Sequence, residues 1–408
     1  MTSTTTASTA RQTGSSRPGV NLALAAWVFA ITFWAWNIIG PLAVRYAGDL
    51  DLSANQKSLL VATPVLVGAI GRVPVGALTD RYGGRRMLAV LSFASIVPVL
   101  LVAWAGDRGS YPLLLTFSFF LGIAGTSFSA GIPFVNAWYE PSRRGFATGL
   151  FGIGMGGTAL SSFFTPRFVS WFGYVAAHLI VAGALAVTGV LVLLVARNAP
   201  AWRPNTEAVM PKLRAAARLA VTWQMSFLYA VTFGGFVAFS TYLPTYLKDV
   251  YDFDLAAAGT RTAGFAVAAV IARPLGGILS DRTHPKLVVL VSLAGAAAMA
   301  VLMALKPHAD LPAGFVFVAM AFFLGLGAGG VFAWVARRSP ADRVGAVTGI
   351  VGGAGGLGGY FPALVMGATY DAETHSYTLG LALLVVTASL AFGYALLRLP
   401  REDRSATS

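Results

Sequence analysis

Twelve apolar stretches of about twenty residues alternate with short polar breaks along the chain. They cover residues 20–42, 57–79, 86–105, 111–138, 145–168, 174–196, 222–247, 256–280, 286–305, 312–336, 344–367 and 377–398. At 1.5 Å per residue, each can cross a hydrocarbon core of about 30 Å. The longest break, 197–221, carries Pro200, Pro204 and Pro211 and separates six stretches from six. The pattern predicts an all-α membrane protein of twelve transmembrane helices in two six-helix bundles, 20–196 and 222–398. A linker (197–221) and two polar tails (1–19 and 399–408) complete the chain. The fifth and eleventh stretches are rich in glycine, which is tolerated in a packed bundle although it disfavours helix in water.

Composition agrees with this reading. The chain is 56% hydrophobic and only 11% charged, where soluble domains carry about 25% charged residues. Its 46 glycines suit helices that approach closely in lipid. There is no cysteine, which excludes disulfides and thiolate metal sites. His178, His284, His308 and His375 are scattered without ligand spacing, and His178 is expected to face the membrane interface. No metal or cofactor is expected, and no nucleophile or acid–base cluster suggests an enzyme.

The net charge of +13 follows from topology. Arg81, Arg85, Arg86, Arg143, Arg144, Arg282, Lys286, Arg337, Arg338 and Arg343 fall on one side, together with the basic linker. The other side holds Arg45, Lys57, Arg108, Arg167, Lys248, Arg261 and Lys306. By the positive-inside rule the first side is cytosolic, with both termini, in a plasma-membrane protein. Basic residues confined to short loops do not make a nucleic-acid surface. The first apolar stretch is too long for a cleaved signal peptide, and no small-residue cleavage site follows it.

Two arginines break the apolar pattern. Arg72 and Arg273 lie inside predicted spans, each eight residues before an Asp-Arg pair, Asp80-Arg81 and Asp281-Arg282. A charge at that depth costs at least ~2.5–3.5 kcal/mol and marks substrate or ion paths. The sixteen acidic residues fall in loops or at helix ends, so neither arginine has an intramembrane carboxylate partner in sequence. A bound anion is the natural partner, because the guanidinium fork donates two parallel hydrogen bonds to a planar oxyanion. The competing reading is that each arginine bonds carbonyls freed near Gly71, Pro74 and Pro274. The halves also repeat. Phe119-Phe120-Leu121-Gly122 matches Phe322-Phe323-Leu324-Gly325, and Arg143, Gly145, Thr148 and Gly149 match Arg343, Gly345, Thr348 and Gly349. Such repeats belong to transporters that bind between two bundles and rock around the site.

Gly76-Ala77-Leu78-Thr79-Asp80-Arg81-Tyr82-Gly83-Gly84-Arg85-Arg86 resembles the loop signature between the second and third helices of the major facilitator superfamily. Gly277-Ile278-Leu279-Ser280-Asp281-Arg282 is similar to its partner between the eighth and ninth. The resemblance implies that Gly76, Asp80, Arg81, Gly83, Arg85, Gly277, Asp281 and Arg282 form a gate on the cytosolic side. A narrower resemblance is to the nitrate/nitrite porter family. It implies that Arg72 and Arg273 bind the anion, that Phe128 and Phe233 sandwich it, and that Tyr229, one turn from Phe233, donates to it. The glycine-rich runs 152–157 and 352–359 also resemble that family's, with Gly154 and Gly355 expected at the ligand. Met155 stands where the family pattern has Asn, and a thioether cannot donate a hydrogen bond. The family implication is a monomeric secondary transporter of nitrate or nitrite, and exchange suits a doubly charged site that need not cross empty. Other porters of small anions, such as a monocarboxylate or cyanate, remain alternatives. A proton-coupled exporter of organic compounds is disfavoured, because helix 1 offers Trp34, Trp36 and Asn37 but no acid, and helix 5 lacks Gly-Pro. A membrane sensor is disfavoured by the short 399–408 tail.

Overall fold

The computed structural model describes residues 17–140, 143–200, 202–204, 209–309, 311–340 and 343–400. The expected tails lie outside it up to residue 16 and from residue 401. Spans 1 to 4 are Pro18–Asp49, Ala54–Ile70 with Arg72–Tyr82, Gly84–Asp107 and Tyr111–Asn136. Span 5 is the run Arg144–Phe151, Gly152–Gly156 and Gly157–Phe172, and span 6 is Tyr174–Val195. Spans 7 to 12 are Ala220–Tyr251, Leu255–Arg282, Pro285–Ala304, Leu311–Arg338, Val344–Ala368 and Thr378–Arg398. Ten of these helices are long and apolar enough to cross a membrane, and the bent pair of span 2 makes eleven. Span 5, interrupted by a 3₁₀ turn, fills the remaining position of the repeat. The linker contributes a short helix, Val209–Ala217.

Local chemistry sets the joints. Span 2 opens on a capping box in which Gln56 N–H donates to Ser53 Oγ (3.3 Å) and Ser53 N–H to Gln56 Oε1 (3.0 Å). It bends by 40° at Gly71, one residue before Arg72. Pro74 lacks the N–H that a straight helix would return to the Ile70 carbonyl, which favours a break there. Gly83 joins spans 2 and 3 at φ +87°, a left-handed value that penalises any side chain. Spans 7 and 11 cross where neither has a side chain: a Cβ on Gly234 would stand 2.5 Å from the Gly358 carbonyl carbon. Close backbone approach of this kind replaces the hydrophobic drive that lipid cannot supply.

His178 departs from the expected placement, and Lys57 has a partner that its position in sequence did not reveal. Lys57 sits inside span 2, only 7% exposed, and its ammonium bonds both carboxylate oxygens of Asp249 on span 7, at 2.8 and 3.1 Å. Tyr377, the residue before span 12, donates to the same carboxylate. Ser58 donates to Tyr242 at 3.0 Å, and Arg167 of span 5 to Thr260 of span 8 at 2.8 Å. These bonds join the two bundles at the end opposite the signature loops. His178 is fully buried, with its Nδ1 2.9 Å from the Tyr174 carbonyl, rather than at the interface. Both residues lie near a helix end in sequence, where position alone does not tell an inward from an outward side chain. Toward the loop end, a Cβ on Gly149, Gly277, Gly345 or Gly349 would meet open space.

Two outcomes follow. Gly358→Val forces spans 7 and 11 apart and costs about 1–3 kcal/mol, read as a lower thermal midpoint in detergent, whereas Gly349→Ala leaves the midpoint unchanged. Lys57→Met alone strands the Asp249 carboxylate and costs on the order of 3–5 kcal/mol. Thermal unfolding of Lys57→Met/Asp249→Leu, which removes both charges, is expected to recover part of that loss.

Candidate anion-binding site

The bend of span 2 and the straight run of span 8 bring Arg72 and Arg273 to the seam between the bundles. Arg72 is 4% exposed and Arg273 8%. The Arg72 guanidinium carbon lies 5.0 Å from the ring centre of Phe128 and 5.6 Å from that of Phe233. For Arg273 the distances to the same rings are 5.8 and 5.4 Å. All four fall within cation–π range, so two phenylalanines, one from each bundle, serve both cations. Neither arginine pairs with a carboxylate among the described residues.

Their remaining donors are satisfied unequally. Arg273 donates from one Nη to Tyr229 Oη at 3.0 Å, and its other Nη stands 3.0 Å from Met155 Sδ. Tyr229 stacks on Phe233 (centroids 4.9 Å, interplanar angle 2°), as their one-turn spacing on span 7 dictates. Arg72 donates to the Gly352 carbonyl at 2.5 Å, while its buried Nε has no partner. A carbonyl does accept from Arg72, in line with the competing reading of the sequence, but it satisfies only part of the fork. A thioether is a weak acceptor, so Met155 gives Arg273 a soft contact and no neutralising charge. What remains is an apolar, doubly cationic cluster with hydrogen-bond donors and few acceptors. It suits a small, fully deprotonated, flat anion.

The two glycines fall in different places. Gly355 abuts the Tyr229 and Phe233 rings, with a built Cβ 3.1 Å from Phe233, so its lack of a side chain makes room for them. Gly154 faces span 1 instead, against the Ala26 carbonyl and Phe29. Gly152, on the same turn, lies beside Arg273. The signature residues lie apart from the arginines, at the loop end. Arg85 donates to the Leu193 carbonyl at 2.5 Å, and its N–H to Asn198 Oδ1 at 3.0 Å. Arg81 lies 5.6 Å from the Tyr82 ring. Asp281 is exposed and pairs with Arg337 at 3.6 Å. Asp80 and Arg282 are exposed too, and a Cβ on Gly76 or Gly277 would meet at most an ordinary contact.

Sequence reasoning missed Phe332. Its ring centre lies 5.6 Å from the Arg273 guanidinium and 4.6 Å, edge-on, from that of Tyr229. The repeat that aligns Phe119 with Phe322 would set Phe128 against Val331, one position short. The five residues Gly122–Thr126 form a 3₁₀ turn in span 4, whereas span 10 is α-helical throughout. A 3₁₀ residue turns about 20° further than an α residue, and five add up to roughly one residue's rotation. Phe128 therefore points where the repeat places Phe332. No sequence signal announced that turn beyond Gly122 and Gly125.

Comparison with known proteins agrees with this architecture. The family model of the Major Facilitator Superfamily matches residues 25–363 and 262–407. The chain is 61% identical over 377 residues to the probable nitrate/nitrite transporter NarK2 of Mycobacterium tuberculosis (strain ATCC 25618 / H37Rv), covering 92% of this chain and 95% of that one. It is 33% identical over 380 residues to the nitrite extrusion protein of Bacillus subtilis (strain 168), covering 92% and 93%. It is also 33% identical over 369 residues to the probable nitrate/nitrite antiporter NarK1 of Thermus thermophilus, covering 83% and 82%. Among solved structures, a bacterial homologue of the human lysosomal transporter Spinster, inward-facing and occupied, superposes with a TM-score of 0.73 at 18% identity, covering 96% of this chain and all of that one. From the family match and the full-length relatives, the chain belongs to the major facilitator superfamily and, within it, to the nitrate/nitrite porters.

Proposed function

We propose that this protein carries nitrate and nitrite across the cell membrane by alternating access, with the anion held between Arg72 and Arg273. The observation that carries the proposal is the convergence of two buried arginines, one from each bundle, on Phe128 and Phe233 without a carboxylate partner among the described residues. A planar monoanion fits between the rings and completes both guanidinium forks, with Tyr229 Oη as a further donor. Because the arginines belong to opposite bundles, the anion draws the halves together.

The empty site keeps two unneutralised cations inside the membrane, which opposes its reorientation and favours exchange of one anion for another. The arginine-rich signature loops and both termini face the cytosol in this reading. The closed Lys57–Asp249 end is then external, and the open space beside the loop-end glycines fits an inward-facing conformation. The protein acts as a monomer, since one chain supplies both halves of the site. Met155 supports a second reading, a different small monoanion such as linear cyanate or a small carboxylate, because no side-chain amide complements a third oxygen beside Arg273.

Lysine keeps the charge but loses the fork. Arg72→Lys and Arg273→Lys are each expected to reduce nitrate transport at least ~100-fold, about 2.7 kcal/mol, at unchanged membrane insertion. Uptake of labelled nitrate into proteoliposomes checks this, and full activity in either variant would exclude the site. Exchange has its own signature: uptake requires internal nitrite and ignores an imposed proton gradient. Gradient-driven uptake into empty vesicles would instead establish proton symport. If neither condition gives nitrate uptake, the same vesicles loaded with cyanate or formate test the second reading.

A further inference from the structure

A second cationic feature lies at the loop end, well away from the transport site. Arg81, Tyr82, Arg85, Arg86, Asn198 and Trp202 are among the residues lining a groove of about 340 Å³. A smaller cavity of about 100 Å³ shares the Asn198 and Trp202 wall and reaches Asp80. Asp80 lines that smaller cavity, and Lys212 from the linker helix lies close enough to offset its charge. Only part of the Arg85 fork is used: one Nη bonds the Leu193 carbonyl, while its buried Nε has no partner. Arg81 lies over the Tyr82 ring, and Arg86 is exposed. Three cations thus surround one groove with donors left over, and an indole lies on its wall.

The surroundings of the groove say what kind of anion it takes. Arg86, Val90 and Val97 follow one exposed stripe down span 3. Val187, Val190 and Leu194 form another on span 6, ending one residue from the Leu193 that Arg85 holds. Both stripes run from the groove into the apolar zone. A free anion would use the arginines and leave the stripes unused, whereas an amphiphile uses both. Trp202 lines the groove seven residues beyond the end of span 6, and tryptophan is enriched at the edges of a bilayer. Basic pockets at the ends of membrane helices are suited to anionic headgroups.

We propose that the groove formed by Arg81, Arg85, Arg86 and Trp202 binds the phosphate of an anionic phospholipid, with its acyl chains along the exposed stripes of spans 3 and 6. The lipid bridges the signature loop and the linker, two segments that must shift when the bundles rock. The bound headgroup ties the mobility of that end to the charge of the surrounding leaflet.

Native mass spectrometry of the intact chain tests this with phosphatidylglycerol against phosphatidylcholine. The wild type is expected to retain phosphatidylglycerol at least ~10-fold more tightly, and Arg81→Gln/Arg86→Gln to lose that preference. Equal retention of the two lipids, or an unchanged preference in the variant, overturns the proposal. So does millimolar inorganic phosphate, if it displaces phosphatidylglycerol and raises the thermal midpoint as far as the lipid does, because the groove is then a site for free phosphate. If the variant fails to fold, hydrogen exchange of the wild type in nanodiscs decides. Protection of 81–86 and 198–204 by phosphatidylglycerol alone supports the proposal, and identical exchange in both lipids overturns it.

Discussion

Two buried like charges without a counter-charge among the described residues are the constraint around which this molecule is organised. Arg72 and Arg273 sit on opposite bundles, at the seam. Their mutual repulsion and desolvation both work against closing that seam. The aromatic faces of Phe128 and Phe233 offset part of the cost, at about 0.5–2 kcal/mol per contact. The Gly352 carbonyl, Tyr229 and Met155 offset a little more. None of these removes the net charge, so an anion remains the strongest available partner. The same constraint explains why the closed end is latched by a full ion pair. Lys57 and Asp249 join the bundles with charges that cancel, where the two arginines leave a net positive charge.

Much of this was legible in the chain because membrane physics narrows the options. Backbone groups in lipid must be satisfied within a segment, so apolar stretches of the right length are helices. A charge inside one is conspicuous for the same reason, which exposed Arg72 and Arg273. Phe128 and Phe233 became visible only next to them, since an aromatic in an apolar helix otherwise signals packing. The pairings were not legible. Lys57 and Asp249 lie 192 residues apart and look like end-of-helix charges. The acceptor on Arg72 is a backbone carbonyl, which any residue carries. Phe332 was hidden by a 3₁₀ turn, which changes angular register without changing the count of residues.

The repeat also shows where the two halves have diverged, and there the site acquires direction. Phe29 and Phe33 of span 1 correspond to Tyr229 and Phe233 of span 7. Span 5 crosses Phe29 and Ala30 at Gly154 and Gly157, as span 11 crosses Tyr229 and Ala230 at Gly355 and Gly358. The next position after the first glycine of each pair faces an arginine: Met155 reaches Arg273, and a Cβ on Gly356 would stand 3.5 Å from Arg72. Two exchanges, tyrosine for phenylalanine and methionine for glycine, therefore separate two otherwise equivalent cations. Both add contacts to Arg273 and none to Arg72. Arg273 is the better-held member, restrained by a hydroxyl and a sulfur. Arg72 follows a bend, keeps an unpaired Nε and, besides the Phe233 ring, holds a backbone carbonyl on the opposite bundle. The single bond that Arg72 makes across the seam must break when spans 2 and 11 part. In the proposed cycle, an anion between the arginines would offer Arg72 a charged acceptor in place of that carbonyl, so occupancy and the movement of the bundles would act on the same guanidinium.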